Sequence, residues 1–419
     1  MTDNTSDLSD DVVPEVPRHS PMDREFAPWH KVRKEFVRKR QWNRYIINYA
    51  KNVLTGRIQI EGESDWAVDV EPNGVPESIE VADPLRCLVI PGDDILDIRS
   101  LLRDTDDIKC YIRYLGFNEG HGSDHVGTRV HIAHNDMTSL NRIHNGSYIA
   151  HDQFQTVANP ESQANRYVKE HGPFHVVNLD LCDSLLPTEF GDFTSYYKAL
   201  HSISAYQMKE MRSPWLLFIT TQIAPDEVDA AMFDKFCEPT KINLQSHSEF
   251  EASLSELLPV AALNAGTSDP IDCSQFSEKE LIDLFGIAIG KALLSFCSTA
   301  GQRWKVSMLG SHIYTIYESR NVSMLSLAFQ FDPITPPPQD VTGILSDPLP
   351  QPKPFNESEL ATKLVTVVQN ISNIDDLLVA DPDLRAQLME SSADLLESVG
   401  YNRVDYIQWV EDGEGASIG

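Results

Sequence analysis

Five short apolar runs, separated by stretches with helical periodicity, restrict the fold of this chain more than any other feature. The intervening stretches include residues 94–104 and 194–211, where apolar side chains recur every three to four positions. Runs that are apolar along nearly their whole length are typical of parallel strands with helices on both faces. We therefore predict an α/β fold with a doubly wound, mostly parallel sheet. The five runs are residues 85–90, 109–117, 146–154, 174–181 and 214–221.

The end of this region has a different pattern. Residues 312–319 and 324–331 are rich in β-branched and aromatic side chains, and a four-residue turn joins them. They predict an antiparallel hairpin appended to the parallel strands.

Changes in composition divide the chain into five segments. The two ends are acidic: residues 1–28 predict a disordered leader, and residues 356–419 predict a small helical module that would bind a protein partner. A proline-rich linker over residues 333–355 precedes that module. Residues 85–332 form the predicted sheet domain, and residues 29–84 combine a basic aromatic helix with an irregular segment.

The helix predicted over residues 30–45 inverts the charge of a chain whose net charge is -29. Seven basic residues stand there against a single acid, Glu35, and aromatic residues are interspersed among them. Two interpretations follow: the helix is docked on the acidic body, or it is an arm that binds RNA or DNA through phosphate contacts and stacking. The residues assigned to nucleic-acid binding are Lys31, Arg33, Lys34, Arg38, Lys39, Arg40 and Trp42.

Cysteine usage predicts a cytoplasmic protein, because the six cysteines are scattered without a Cys-x-x-Cys pair, as reduced thiols usually are. The first 15 residues carry acids and no base, so they do not predict a signal peptide. Residues 281–300 are apolar, but Asp283 and Lys291 interrupt them and favour a buried helix over a membrane span. Gly286 and Gly290 within this helix predict close helix packing.

Candidate site residues follow the predicted strands. In an open parallel sheet, ligands bind beyond the carboxyl ends of the strands, near the point where the strand order reverses. Polar residues follow every one of the five strands, and Asp180 lies in the fourth, where a carboxylate is costly to bury. We therefore expect the ligand site at this edge of the sheet.

Five parallel strands followed by a hairpin resemble the class I S-adenosylmethionine-dependent methyltransferases, over residues 85–332. The resemblance is strongest at residues 176–185 and 215–221, where it is nearest to the tRNA guanine-N2 dimethyltransferases and related bacterial methyltransferase-like proteins. It implies a Rossmann fold, S-adenosylmethionine as cofactor, and methyl transfer to an exocyclic amine of RNA or DNA. Asn178 and Asp180 would be the catalytic pair, accepting hydrogen bonds from the amine and directing its lone pair toward the methyl group.

The resemblance also implies which residues hold the cofactor. Gly92 would lie in the turn where the backbone approaches it. Asn118 or Glu119 would hold the ribose hydroxyls, and Asp152 would contact the adenine. The full set of cofactor-binding residues is Pro91, Gly92, Asp93, Gly116, Asn118, Glu119, Asp152, Gln153 and Phe154.

Two features depart from the family pattern. The first loop has one glycine where two or three are usual, and the charges of Asp93 and Asp94 behind it would repel the methionine carboxylate unless they point away. The end of the fourth strand has Leu181 and Cys182 in place of a proline and an aromatic residue. A second hypothesis therefore stays open: a catalytically inactive Rossmann-fold subunit or sensor in a bacterial defence or modification assembly.

Histidines concentrate between residues 121 and 151, in a stretch predicted to be a polar loop. His131 and His134, with Asp124 or Asp136, have a spacing that could bind a metal, but no cysteine lies nearby to complete a set. The sequence therefore predicts no metal ligands.

Overall fold

The structure is a computed structural model of the 419-residue chain. The acidic leader before residue 25, the irregular segment over residues 55–82 and the linker over residues 335–355 lie outside the described residues, as does Cys182. The structure describes residues 25–54, 83–119, 124–181, 183–186, 195–223, 230–263, 271–299, 303–317, 322–334 and 356–414.

A nine-stranded sheet organises the described residues. Five of its strands are the predicted apolar runs: β1 (Leu85–Val89), β2 (Ile112–Phe117), β3 (Tyr148–Ala150), β4 (Val176–Asp180) and β5 (Trp215–Ile223). All five are parallel, in the order β3-β2-β1-β4-β5. The strand order therefore reverses between β1 and β4, which places the expected ligand crevice above these two strands.

The remaining strands extend the sheet beyond β5. β8 (Val322–Pro333) pairs antiparallel with β5 and also with β6 (Trp304–Met308) and β7 (His312–Tyr317). The short β9 (Ser372–Asn373) adds to β7 in parallel. Parallel strands followed by a reversed hairpin are the arrangement that the sequence predicted, and the predicted fold class is confirmed.

One face of the sheet is covered by the N-terminal helix, which we define as the continuous helical segment over residues 32–54. Within it, α1 (Val32–Phe36) and α2 (Arg44–Tyr49) alternate with π-helical turns. Its apolar side chains join those of the sheet in one core. The other helices that contribute to this core are α3 (Leu96–Asp104), α4 (Asp124–Thr138), α11 (Ile374–Ala380), α12 (Pro382–Glu397) and α13 (Arg403–Glu411).

A second core fills the opposite face, where the helices are α5 (Gln163–His171), α6 (Tyr196–Glu210), α7 (Ala230–Ser246), α8 (Ser248–Ser255), α9 (Glu278–Thr299) and α10 (Glu357–Gln369). By length and composition α9 is the one helix of the described residues that could cross a membrane, but 78% of its apolar window is buried inside the protein. The burial agrees with the buried helix predicted for this segment.

Two predicted segments have a different structure from the one expected. Much of the histidine-rich stretch, predicted to be a polar loop, is helix α4, because Val130, Ala133 and Met137 recur at helical spacing and are buried. The acidic C-terminal segment is helical as predicted, but residues 357–414 do not form a bundle of their own. They pack into both cores, and β9 joins the sheet, because α10 to α13 each have apolar side chains that the rest of the protein helps to cover.

The two glycines of α9 lie against α10 but have different surroundings. A Cβ added at Gly290 would overlap the side chain of Leu364, whose Cγ would lie 3.1 Å away. The nearest atom to a Cβ at Gly286 would be Val368 Cγ2, at 3.4 Å, an ordinary contact. Gly290 therefore permits the close packing of α9 on α10, as the glycine spacing predicted.

We expect Gly290→Ala to destabilise the protein relative to Gly286→Ala by about 1–2 kcal/mol. Alanine gains helix propensity at both positions, but only at residue 290 does it overpack the helix interface. Chemical denaturation of the two variants and the wild type measures the difference. Equal free energies of unfolding for the two variants would contradict the predicted role of Gly290.

Candidate functional site

The turn after β1 lies at the point where the strand order reverses. A Cβ at Gly92 would meet no atom within 4 Å, so the backbone of this turn is open to a ligand. The carboxylate of Asp94 points away from the opening, because Arg129 Nη2 donates to it at 2.9 Å and the Tyr401 hydroxyl at 3.0 Å. The negative charge of Asp94 is therefore compensated by Arg129, which reduces the repulsion expected between Asp94 and a bound carboxylate.

The tips of β1, β2 and β3 are joined by direct hydrogen bonds. Asn118 Nδ2 donates to the carbonyl of Pro91 at 2.9 Å, and its backbone N–H donates to the carbonyl of Ala150 at 3.1 Å. The Gln153 side-chain amide donates to the carboxylate of Glu119, which is exposed. Polar residues that follow three different strands in the sequence thus lie together at the carboxyl edge of the sheet.

Three residues of the predicted cofactor set have structural roles. Phe154 is 3% exposed and packs on Phe117 in the core, so it is not placed to stack on a ligand. Gly116 is buried within β2, where a Cβ would overlap Ile149. Asp152 accepts from the backbone N–H of Gln153 at 2.8 Å, at the start of a 3₁₀ turn, and it stays partly accessible.

Strand β4 carries the predicted catalytic pair, and Asp180 at its end contacts the N-terminal helix. Asn178 and Asp180 alternate with Val177 and Leu179, which belong to the opposite core. Asn178 is 5% exposed, and its Oδ1 atom has no hydrogen-bond partner among the described residues. Asn178 is thus buried, and Asp180, which is partly accessible, is engaged by the N-terminal helix.

Asp180 forms an ion pair with Lys34 of the N-terminal helix. The ammonium of Lys34 also lies 4.6 Å from the centroid of the Trp42 ring, and its side chain is 5% exposed. Burial alone would lower the pKa of Lys34, but the nearby Asp180 carboxylate opposes this effect, and the pKa is raised. Lys34 thus remains charged as the ion-pair partner of Asp180.

Further ion pairs fix the same helix to the body of the protein. Arg38 Nε donates to Asp97 at 2.8 Å, and Lys39 Nζ lies 2.6 Å from a carboxylate oxygen of Asp104, both in α3. Glu35, the single acid of the basic stretch, is fully buried and accepts from Arg103 at 3.2 Å. The basic helix is therefore held by acidic groups that come from other parts of the chain.

The docked interpretation of the basic helix is the one that the structure shows. Lys31, Lys34, Arg38 and Trp42 are buried, so they do not present phosphate-binding or stacking groups to solvent. Arg33 and Lys39 are half-buried in ion pairs, with Asp375 and Glu414 for Arg33 and with Asp104 for Lys39. Of the seven residues assigned to nucleic-acid binding, Arg40 is exposed.

Residues of the C-terminal segment pack against the start of the N-terminal region and against Asp94. Tyr401 and Tyr406 pack around Phe26, with ring centroids 5.7 and 5.5 Å away, and the Tyr406 hydroxyl donates to the His30 carbonyl at 2.8 Å. Burial raises the pKa of Tyr401 to about 12, so it stays a hydroxyl donor to Asp94. Neither Tyr401 nor Arg129, the second donor to Asp94, carried a sequence signal, because both lie far from Asp94 along the chain.

The histidine-rich stretch is divided between two environments. A ring nitrogen of His134 hydrogen bonds the hydroxyl of Tyr114 at 2.7 Å. His131 instead contacts His151, which follows β3. Among the described residues there is no group of three or more histidine, cysteine or acidic side chains that could hold a metal ion.

A family model described as PP_RS20740-like matches residues 23–411. The chain belongs to this family. The match begins before the N-terminal helix and ends in α13, so the family includes the docked helix and the C-terminal helices as well as the sheet. No curated protein sequence matches this chain.

Two solved structures are similar to the chain at low identity. One is described as an rRNA-methylase from Clostridium thermocellum, with 10% identity and a TM-score of 0.25, covering 60% of this chain and 90% of that one. The other is the plantazolicin methyltransferase BamL with a desmethylPZN analog and SAH, with 11% identity and a TM-score of 0.26, covering 60% and 77%. At these TM-scores neither adds to the fold assignment, which rests on the strand order.

We expect Lys34→Met to destabilise the protein by about 3 kcal/mol, because it leaves the Asp180 carboxylate in a buried place without its counter-charge. Lys39→Met is the matched control: its ion pair is more exposed, so the loss should stay below about 1 kcal/mol. Urea denaturation gives both values. The double variant Lys34→Met, Asp180→Leu should recover at least half of the loss, and equal losses for the two single variants would contradict the assigned role of Lys34.

His30 predicts a pH dependence of stability. Burial, with Arg38 and Arg129 nearby, lowers the pKa of His30 to about 3 from its usual 6.5. Between these values the unfolded chain binds the proton and the folded protein does not, so His30 costs up to about 1.4 kcal/mol of stability per pH unit as the pH falls from 6.5 toward 3. Denaturation of His30→Phe over this range should show a shallower loss than the wild type. His144→Phe, at an exposed histidine, should follow the wild type.

Proposed function

We propose that this chain is a methyltransferase-like protein that binds S-adenosylmethionine over the tips of β1, β2 and β3. The observation that carries the proposal is the set of hydrogen bonds that joins these tips, from Asn118 to Pro91 and Ala150 and from Gln153 to Glu119. They assemble an edge that begins at β1, beside the point between β1 and β4 where the strand order reverses and where ligands usually bind in such sheets.

The groups at this edge fit the parts of the cofactor. The exposed carboxylate of Glu119 would accept hydrogen bonds from the ribose hydroxyls. The open backbone at Gly92 would approach the methionine portion, and Asp94 is already neutralised by Arg129 and Tyr401. The carboxylate of Asp152 is partly accessible beside Gln153 and would meet the adenine amine. When bound, the cofactor supplies an electrophilic methyl group.

Two uses of the bound cofactor are compatible with this edge. In the first, the chain transfers the methyl group to an exocyclic amine of RNA or DNA, with Asn178 and Asp180 orienting the amine. In the second, the chain binds the cofactor without turnover, as a subunit or sensor in a bacterial defence or modification assembly. The ion pair between Lys34 and Asp180 favours the second, because Lys34 would have to move before an amine could reach Asp180.

Calorimetric titration of S-adenosylmethionine into the full chain tests the cofactor proposal. We expect one equivalent to bind, and Glu119→Ala to weaken binding by about tenfold, the equivalent of one charge-assisted hydrogen bond. Glu161→Ala, which removes an exposed acid near the start of α5, should bind like the wild type. Absence of binding by the wild-type chain at millimolar cofactor would overturn the proposal.

A transfer assay separates the two uses. Incubation with methyl-labelled cofactor and mixed RNA and DNA should leave the nucleic acids unlabelled if the chain binds without turnover. Label on an exocyclic amine that is lost in Asp180→Asn would instead support the first use. Either result is interpretable only when the titration shows binding, so the two experiments are performed on the same preparation.

A further inference from the structure

Two exposed histidine side chains converge beside the predicted cofactor edge. His131 lies on α4 and His151 directly follows β3, twenty residues later. Their ring centroids are 4.1 Å apart with an interplanar angle of 57°, and their Nε2 atoms point at each other within hydrogen-bonding distance. Each neutral imidazole has one nitrogen lone pair, so a small separation of these two exposed rings would let both Nε2 atoms bind one cation.

Nε2 is the nitrogen of each ring that faces the other histidine. When Nδ1 carries the ring proton, the lone pair of Nε2 is available to a metal ion.

We propose that His131 and His151 form a binding site for a divalent transition-metal ion of the Zn²⁺, Ni²⁺ and Cu²⁺ class. Imidazole nitrogen is a preferred ligand of these ions, and Cu²⁺ binds most tightly among them. The described residues supply no third histidine, cysteine or acidic ligand to this pair. The ion therefore keeps open coordination positions for water or an external donor, as catalytic and exchangeable metal sites do.

The site differs from the one considered from the sequence. The spacing of His131 and His134 was compatible with a metal, but these residues were not predicted to bind one, and the ring of His134 hydrogen bonds Tyr114 instead. The partner of His131 in the structure is His151, which follows β3. The packing of α4 against the sheet brings these two histidines together. The proposal does not depend on cofactor binding, because neither ligand belongs to the residues assigned to S-adenosylmethionine.

Titration of Zn²⁺ into the untagged full chain tests the proposal. The buffer should contain about 0.15 M salt, so that weak binding to the acidic surface is screened. We expect one equivalent to bind to the wild type, and His131→Gln and His151→Gln each to weaken binding by at least about tenfold, or about 1.4 kcal/mol. His144→Gln is the matched control, because this histidine is exposed and does not belong to the pair.

Electron paramagnetic resonance of the Cu²⁺-loaded protein gives an independent result. The wild type should show coupling to two imidazole nitrogens, and each single variant should show one or none. Far-UV circular dichroism of the variants checks that the fold is kept, as expected for exposed side chains. The proposal is overturned if the wild type binds no better than the double variant His131→Gln, His151→Gln, or if His144→Gln loses as much affinity as either single variant.

Discussion

Neutralisation of the charges on the N-terminal helix is the constraint on which the rest of this structure depends. The helix lies between the sheet and the C-terminal helices, and charged groups are costly to bury without partners. Lys34 meets Asp180, Arg38 meets Asp97, and Glu35 meets Arg103. Without these pairs, the cations of the helix would lose their hydration on burial with no ion pair to compensate. This free-energy cost would oppose burial of the apolar residues on the same helix.

Further ion pairs and hydrogen bonds connect parts of the chain that are far apart in sequence. Arg33 binds Asp375 of α11 and Glu414 beyond α13, while Arg129 and Tyr401 share the carboxylate of Asp94. The two ends of the described chain therefore form one layer over the sheet. The family match, which runs from residue 23 to residue 411, includes this layer as well as the sheet.

The carboxyl edge of the sheet consequently has two halves with different character. Over β1, β2 and β3 the backbone at Gly92 is open and Glu119 is exposed, which suits a bound nucleoside cofactor. Over β4 the ammonium of Lys34 is paired with the carboxylate of Asp180. The open half is therefore the one that supports the proposed cofactor binding, whereas Asp180 is engaged by the N-terminal helix.

Local patterns in the sequence were sufficient for the five parallel strands and the class of the fold. The apolar runs at residues 85–90 and 214–221 predicted buried strands, and the β-rich pair at residues 312–331 predicted a hairpin, because length and the content of β-branched and aromatic residues are local signals. The same patterns did not predict helix α4. The sequence also indicated that polar residues would gather at the strand tips. Tertiary structure alone decided what those residues contact. That the basic helix binds Asp180 and Asp97, that Asp94 is neutralised by Arg129, and that His131 meets His151 all follow from the packing of distant segments, which no local pattern encodes.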